Sequence, residues 1–142
     1  MNNNKQKKQK TTNGKSSENL PLKLIFPTID EWPESWAGDS DDIPVGKIIL
    51  KEFKIFLLEQ QGRLAKKTLN DYGNYLWALG GEIIRDTNCS EIKVKDLKDD
   101  FLLKYVDECG GPYWRHATSE SDHERYHSIC RRFYKYLINK SK

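Results

Sequence analysis

The stretch KKTLNDYGNYLWALGGEIIRD, from Lys66 to Asp86, decides the fold class of this chain. Its large apolar residues recur every three or four positions, which is the spacing of one face of an α-helix rather than the alternation of a strand. That face consists of Leu69, Tyr72, Leu76, Leu79 and Ile83. The pattern predicts a helix that begins near Lys66, and the pair Gly80-Gly81 is expected either to kink this helix or to split it.

Three further segments show the same periodicity. A first helix follows Asp42, with Pro44 in a first-turn position and Gly62 as its end. A third helix is predicted over roughly Asp96 to Glu108, and a fourth from about Ser119–Ser121 to Asn139. Their apolar faces contain, in chain order, Ile49, Phe53, Phe56 and Leu57; Leu97, Phe101 or Leu102, Tyr105 and Val106; and Tyr126, Ile129, Cys130, Phe133 and Leu137. Four helices with short joints predict an all-α fold, a compact four-helix bundle over residues 43–142.

The sequence before this bundle has no helical periodicity. Residues 1–19 have no apolar anchor and carry five Lys and one Glu, so they are predicted to form a disordered basic tail. Residues 20–42 combine prolines with Trp32 and Trp36 among six acidic residues, and they are predicted to form an extended arm or edge strand. The two tryptophans either pack onto the domain or anchor a partner protein.

Composition and charge narrow the class of protein. Hydrophobic residues make up 37% of the chain, and the longest apolar runs are far shorter than the ~20 residues that span a bilayer. No signal peptide follows Met1, so a cytoplasmic location without a membrane partner is expected. The net charge of +3 comes from residues 1–19, so any nucleic-acid-binding surface must be local. Cys89, Cys109 and Cys130 are expected to be reduced and mostly buried thiols.

The last predicted helix opens with HERYH, which matches the His-Glu-x-x-His zinc signature of many metallopeptidases. His123 and His127 lie four positions apart, so both imidazoles could bind one zinc ion. A catalytic zinc needs a third protein ligand, and only the upstream His116 or Cys109 are candidates, since no acidic residue follows Glu124.

Two neighbours of the motif favour a structural role for it. Arg125 places a permanent cation within one turn of the hypothetical zinc. Ser121 and Glu124 have the spacing of a capping box, in which both side chains bind backbone N–H groups at a helix start. The match is therefore interpreted as a coincidence, and the chain is predicted to have no metal, no cofactor and no enzymatic activity. A zinc metallopeptidase is kept as a remote alternative.

The same helix carries a stripe of basic residues. His127, Arg131 and Lys135 are spaced four apart, Arg132 lies beside them, and six Lys or Arg residues but no acidic one occur from Arg125 to Lys142. Cations near a helix C-terminus suit the macrodipole. Basic residues interleaved with tyrosines are also typical of a helix that binds phosphates; the tyrosines here are Tyr126, Tyr134 and Tyr136.

Three stretches together resemble the N-terminal core-binding domain of tyrosine recombinases, or phage integrases, which is a SAM-like four-helix bundle. They are FKIFLLEQQGRLAKKTLNDYGNYLWALG, VKDLKDDFLLKYVDE and HSICRRFYKYLI, within residues 47–140. The matching motifs are Lys67-Thr68-Leu69 followed by Tyr72 and Leu76, and the aromatic-rich run from Phe133 to Leu137.

The resemblance implies non-catalytic binding of double-stranded DNA through phosphate contacts, in a recombination context. The family presents its second and fourth helices to DNA. Residues at the matching positions are Lys66, Lys67, Thr68 and Asn70 on the second helix and His127, Arg131, Arg132 and Lys135 on the fourth.

The sequence also departs from that family. The family's catalytic domain, with its Arg, His-x-x-Arg and nucleophilic Tyr, should follow the last helix, whereas this sequence stops at Lys142. The chain is expected to be either a fragment of a longer integrase or a free-standing protein, and a recombinase or another protein is a candidate partner. The alternative is a helical protein–protein interaction module that does not bind DNA.

Overall fold

The computed structural model describes residues 21–38 and 42–140, which form helices and 3-10 turns but no β-strand. The α-helices are α1 (Leu22–Ile25), α2 (Trp32–Ala37), α3 (Ile43–Gln61), α4 (Lys66–Cys89) and α5 (Glu120–Lys140), with 3-10 turns at Ile29–Glu31, Val94–Asp96 and Phe101–Lys104. The predicted all-α class is confirmed. The prediction of a disordered tail over residues 1–19 lies outside the described residues.

The three long helices pack around a core of aromatic rings. Phe133 of α5 lies edge-on to two rings of α3, with centroid distances of 5.1 Å to Phe53 and 5.4 Å to Phe56. Phe56 also stacks on Tyr72 of α4 at 6.2 Å, so this one side chain joins all three helices. The apolar faces predicted for these helices are confirmed, because every member of them is buried.

The N-terminal segment, residues 21–38, is not the extended arm or edge strand that its prolines and irregular pattern suggested. It folds into α1, a 3-10 turn and α2, which contact α3 and α4. Pro33 is tolerated because it lies in the first turn of α2. Trp32 and Trp36 lie one turn apart on that helix, so both rings reach the bundle together. The expectation that these tryptophans pack onto the domain is confirmed, since Trp32 is buried and Trp36 contacts the core.

The glycine pair neither kinks nor splits the helix, because α4 runs without interruption through Gly80-Gly81. A Cβ atom at Gly80 would overlap the ring of Trp36, so the missing side chain makes room for α2 against the backbone of α4. The indole N–H of Trp36 then donates a hydrogen bond to the carbonyl oxygen of Trp77 at 2.8 Å. Gly80 therefore serves packing, and neither glycine ends the helix.

The third predicted helix is also wrong, since its residues form only the 3-10 turns at Val94–Asp96 and Phe101–Lys104. The carboxylate of Asp96 accepts a hydrogen bond from the backbone N–H of Lys93 at 3.0 Å. This bond caps the start of the first 3-10 turn, but Leu97 directly after the turn adopts an extended backbone conformation (φ −80°, ψ 137°), which ends the helical path. Leu102 and Val106 are nevertheless buried, so the segment is anchored by the residues that the periodicity identified.

The two adjacent glycines offer a matched test of how α2 packs on α4. Gly80→Ala should lower the free energy of unfolding by about 1–3 kcal/mol, because the new methyl group overfills the site of Trp36. Gly81→Ala should instead stabilise the protein by up to about 1 kcal/mol, because the nearest ring atom would lie 3.6 Å away and alanine favours helix. Urea denaturation followed by tryptophan fluorescence measures both. Equal stabilisation by the two substitutions would contradict this packing.

Candidate nucleic-acid interface

A groove of about 640 Å³ lies between the C-terminal part of α3 and the outer side of α5. Four cationic side chains line it: Arg63, just after α3, and Arg131, Arg132 and Lys135 on α5. We call it the basic groove. Glu59 and Glu108 also line it, so four cations face two carboxylates. The excess of positive charge favours an anionic occupant.

The cations of α5 are available to a partner. Arg131, Arg132 and Lys135 are exposed, and within the described residues neither they nor Arg63 form an ion pair. Their position follows from the core, because Ile129, Phe133 and Leu137 occupy the opposite side of α5 and are buried. Solvated cations without a carboxylate partner can bind phosphates without first breaking an internal salt bridge.

The tyrosines interleaved with this stripe do not share one role. Tyr134 and Tyr136 line the basic groove, whereas Tyr126 is fully buried in the core. The hydroxyl of Tyr136 already donates a hydrogen bond to the carboxylate of Glu52 at 3.1 Å. Of the two tyrosines at the groove, Tyr134 is thus the one whose hydroxyl has no hydrogen-bond partner within the described residues.

His127 does not line the basic groove, although it lies one turn before Arg131. Its Nδ1 atom accepts a hydrogen bond from the backbone N–H of Gly111 at 3.1 Å, which ties α5 to the preceding loop. Burial lowers the pKa of His127, and the neighbouring positive groups of His123 and Arg131 lower it further against the opposite effect of Asp107. A neutral imidazole holds this loop and contributes no positive charge to the stripe.

The loop that meets His127 is built by the DECGG sequence. The carboxylate of Asp107 accepts hydrogen bonds from the backbone N–H groups of Cys109 at 2.7 Å and Gly110 at 3.2 Å. Gly110 has a φ of +132°, and a Cβ atom there would overlap the ring of His127. Only glycine combines this backbone conformation with this close approach.

The same geometry explains the HERYH motif. His123 and His127 do lie side by side, with ring centroids 5.7 Å apart. Neutral His127, however, must keep its proton on Nε2 if Nδ1 accepts from Gly111, so neither ring nitrogen has a free lone pair for zinc. Among the described residues no group of three His, Cys, Asp or Glu side chains could hold a metal ion.

The helix cap is two residues earlier than predicted from Ser121 and Glu124. The hydroxyl of Ser119, immediately before α5, accepts a hydrogen bond from the backbone N–H of Asp122 at 3.1 Å. The Asp122 carboxylate accepts in turn from the hydroxyl of Thr118 at 2.7 Å. The capping pair is therefore Ser119 and Asp122, because the helix begins at Glu120 and places these two residues at the N-cap and third positions.

The predicted residues of the second helix lie on the exposed side of the first turns of α4. Lys66, Lys67 and Thr68 follow Arg63 closely in the chain and are exposed. Asn70 is also exposed, but it lines a different groove, next to the N-terminal segment. The basic groove thus unites Arg131, Arg132 and Lys135 with Arg63. The sequence reasoning missed Arg63 because it follows the helix-ending Gly62 and belongs to no helical face.

The cysteines are arranged differently from the expectation of mostly buried thiols. Cys89 and Cys109 are exposed, and Cys130 alone of the three is buried. Burial raises the pKa of the Cys130 thiol to about 12, so this side chain behaves as a small apolar core residue. Cys89 ends α4 and Cys109 lies in the Asp107 turn, where neither position faces the core.

The hydrogen bond to His127 predicts a specific pH dependence of stability. Unfolded histidine titrates near pH 6.5, whereas the pKa of folded His127 is lower, so the unfolded state takes up the proton first as the pH falls. The free energy of unfolding should therefore decrease below about pH 6.5. His127→Gln should flatten this dependence and cost about 1 kcal/mol at pH 7.

Urea denaturation at a series of pH values measures the effect. His116→Gln is the matched control, because His116 is exposed in the loop before α5 and should leave the pH dependence unchanged. An unchanged slope in the His127→Gln protein would show that the histidine does not hold the loop.

Comparisons with protein-family models, with curated proteins and with solved structures find no match. Within the described residues, none of the helices combines the length and apolarity that crossing a membrane requires. The likeness to the core-binding domain of tyrosine recombinases consequently rests on the sequence motifs.

Proposed function

We propose that this chain is a non-catalytic DNA-binding domain that holds the phosphate backbone of double-stranded DNA in the basic groove. The observation that carries the proposal is the cluster of Arg63, Arg131, Arg132 and Lys135 around one groove, without an ion pair to any described residue. When cations without an internal ion pair neutralise DNA phosphates, the counterions condensed on the DNA are released, and that release drives DNA binding.

The arrangement on α5 suits a phosphate backbone. Arg131 and Lys135 lie four residues apart, which is about 6 Å along the helix axis. Two nucleotide steps of one DNA strand rise by a similar distance, about 6.8 Å. The guanidinium groups of Arg131 and Arg132 can each hold two phosphate oxygens. The phenol of Tyr134 supplies a further neutral donor at the same groove.

The family resemblance supports the same surface. The core-binding domain of tyrosine recombinases presents to DNA the helices that correspond to α4 and α5. Lys66 and Lys67 would extend the basic groove from Arg63 onto the first turn of α4, since these residues are exposed and adjacent in sequence. Contacts made chiefly by Lys and Arg to phosphates predict binding with little preference for base sequence. The resemblance also suggests a role beside a recombinase.

A second candidate function is a protein–protein interaction module that does not bind DNA. It is favoured by Glu59 and Glu108, whose carboxylates line the basic groove and would repel phosphates. It is also favoured by the near-neutral charge of residues 20–142, which carry 19 basic and 20 acidic side chains. Salt separates the two, because phosphate binding weakens steeply as salt rises whereas an apolar interface responds little.

The proposal is tested by replacing Arg131, Arg132 and Lys135 together with Ala. Duplex affinity should fall for all DNA sequences alike, and the slope of log K against log[salt] should become shallower by roughly two to three units, about 0.9 per lost phosphate contact. Fluorescence anisotropy with a labelled duplex at several salt concentrations measures both. The fold should survive, because each exposed position costs under about 0.5 kcal/mol.

A matched control removes three cations from elsewhere. Lys47, Lys95 and Lys98 are exposed and do not line the basic groove, so their joint replacement with Ala should preserve the salt slope while lowering the net charge equally. If the control and the groove variant lose the same affinity, the binding depends on overall charge and the site assignment is wrong. If wild-type protein binds no duplex at low salt, the interaction module replaces the proposal.

A further inference from the structure

A second groove lies between the N-terminal segment and α4, and it shares no lining residue with the basic groove. It consists of two depressions, of about 540 and 760 Å³, which meet at Thr28, Trp32 and Trp77. One depression extends along α4 to Trp114, and the other runs beside α2. Two depressions joined end to end form an elongated site, which suits an extended chain better than a compact small molecule.

The walls of this groove are rich in aromatic rings. Trp77 is 44% exposed and belongs to both depressions, and Phe26, Tyr75 and Trp114 line the one along α4. A tryptophan so exposed on a helix is unusual for a residue of its size and apolarity. Its backbone is held in place, because the carbonyl oxygen of Trp77 accepts the hydrogen bond from Trp36 and α4 packs against α2 and α3. An exposed indole on a fixed helix offers a ready surface for a partner side chain.

The charged side chains that line this groove are all acidic. Asp71 and Asp122 line the first depression and Glu31 and Glu34 the second, while neither lining includes Lys or Arg. Asp122 already accepts bonds from Thr118 and Tyr75, and Arg125 lies beside that pair. The carboxylates of Asp71, Glu31 and Glu34 form no ion pair within the described residues, so their charge is directed to solvent. Nucleic acid is therefore repelled from this groove.

We propose that this acidic aromatic groove binds an extended basic segment of a partner protein. A Lys or Arg side chain of that segment stacks on the indole of Trp77 and is flanked by Asp71 in one depression and Glu34 in the other. A cation over an indole face is attracted by the ring's electron density, and adjacent carboxylates add to this attraction. The amide side chains of Asn70 and Asn74, which line the same groove, supply donors and acceptors for the backbone of the bound segment.

The test uses full-length protein and a short, blocked peptide of alternating Arg and Ala residues. Titration is followed by the NMR signals of the indole N–H groups, of which the chain has four. The signals of Trp77 and Trp114 should shift with added peptide, whereas that of Trp36 should change least because its N–H is bonded to the Trp77 carbonyl oxygen at 2.8 Å. A peptide with Glu in place of Arg should produce no shift.

Substitutions then separate the two sources of affinity. Trp77→Leu keeps an apolar helix-forming side chain but removes the indole face, and it should weaken binding about three- to tenfold. Glu34→Gln and Asp71→Asn preserve shape and remove charge, and each should weaken binding about two- to fivefold. Glu124→Gln is the matched control, because Glu124 is exposed and lines neither groove, and it should bind as the wild type does.

Three results would overturn the proposal. The first is equal binding of the Arg and Glu peptides, and the second is wild-type affinity in both the Trp77→Leu and the Glu34→Gln proteins. The third concerns this chain's own residues 1–19, whose five lysines are the rival basic occupant. If changing those lysines to Gln shifts the Trp77 signal in the absence of peptide, the groove serves the protein's own N-terminus. None of these results depends on whether the basic groove binds DNA.

Discussion

The contact between the ring of Trp36 and the bare backbone at Gly80 is the constraint on which the rest of the fold depends. Because Gly80 has no side chain, the indole reaches the surface of α4 and donates its N–H to the Trp77 carbonyl oxygen. The same ring lies edge-on to Phe53 of α3 at 5.9 Å. One tryptophan therefore fixes α2 against α3 and α4, and α2 in turn forms a wall of the acidic aromatic groove.

The basic groove depends on the core in a comparable way. Phe133 is completely buried between the rings of α3, which sets the rotation of α5 about its axis. Successive residues of a helix are turned by about 100°, so Arg131 and Lys135, two positions on either side, point about 200° away from Phe133. The aromatic core thus orients the cations outward, and Arg63 joins them because α3 ends beside the same face of α5.

The sequence predicted the elements whose pattern spans several turns, and it failed where a structure depends on a single distant contact. The buried faces of α3, α4 and α5 followed from apolar spacing, and Pro44 and Gly62 marked the two ends of α3, but the course of α4 through Gly80-Gly81 to Cys89 did not follow from the sequence. The 3-10 turns around Asp96 did not, because a short periodicity does not reveal that Leu97 leaves the helical conformation. The helical form of the N-terminal segment depends on glycines more than forty residues further along the chain. His127 was grouped with the cations, since nothing in a helical stripe reveals its bond to Gly111.

The near-neutral charge of residues 20–142 conceals a separation of charge between two sites. Four cations surround one groove and four carboxylates line the other, and no residue belongs to both. Each groove therefore presents an excess of one sign of charge, which favours a ligand of the opposite sign. In the functions that we propose, DNA binds one groove and a basic protein segment binds the other. A small domain with both proposed functions would bring a basic protein segment to DNA without exchanging one ligand for the other.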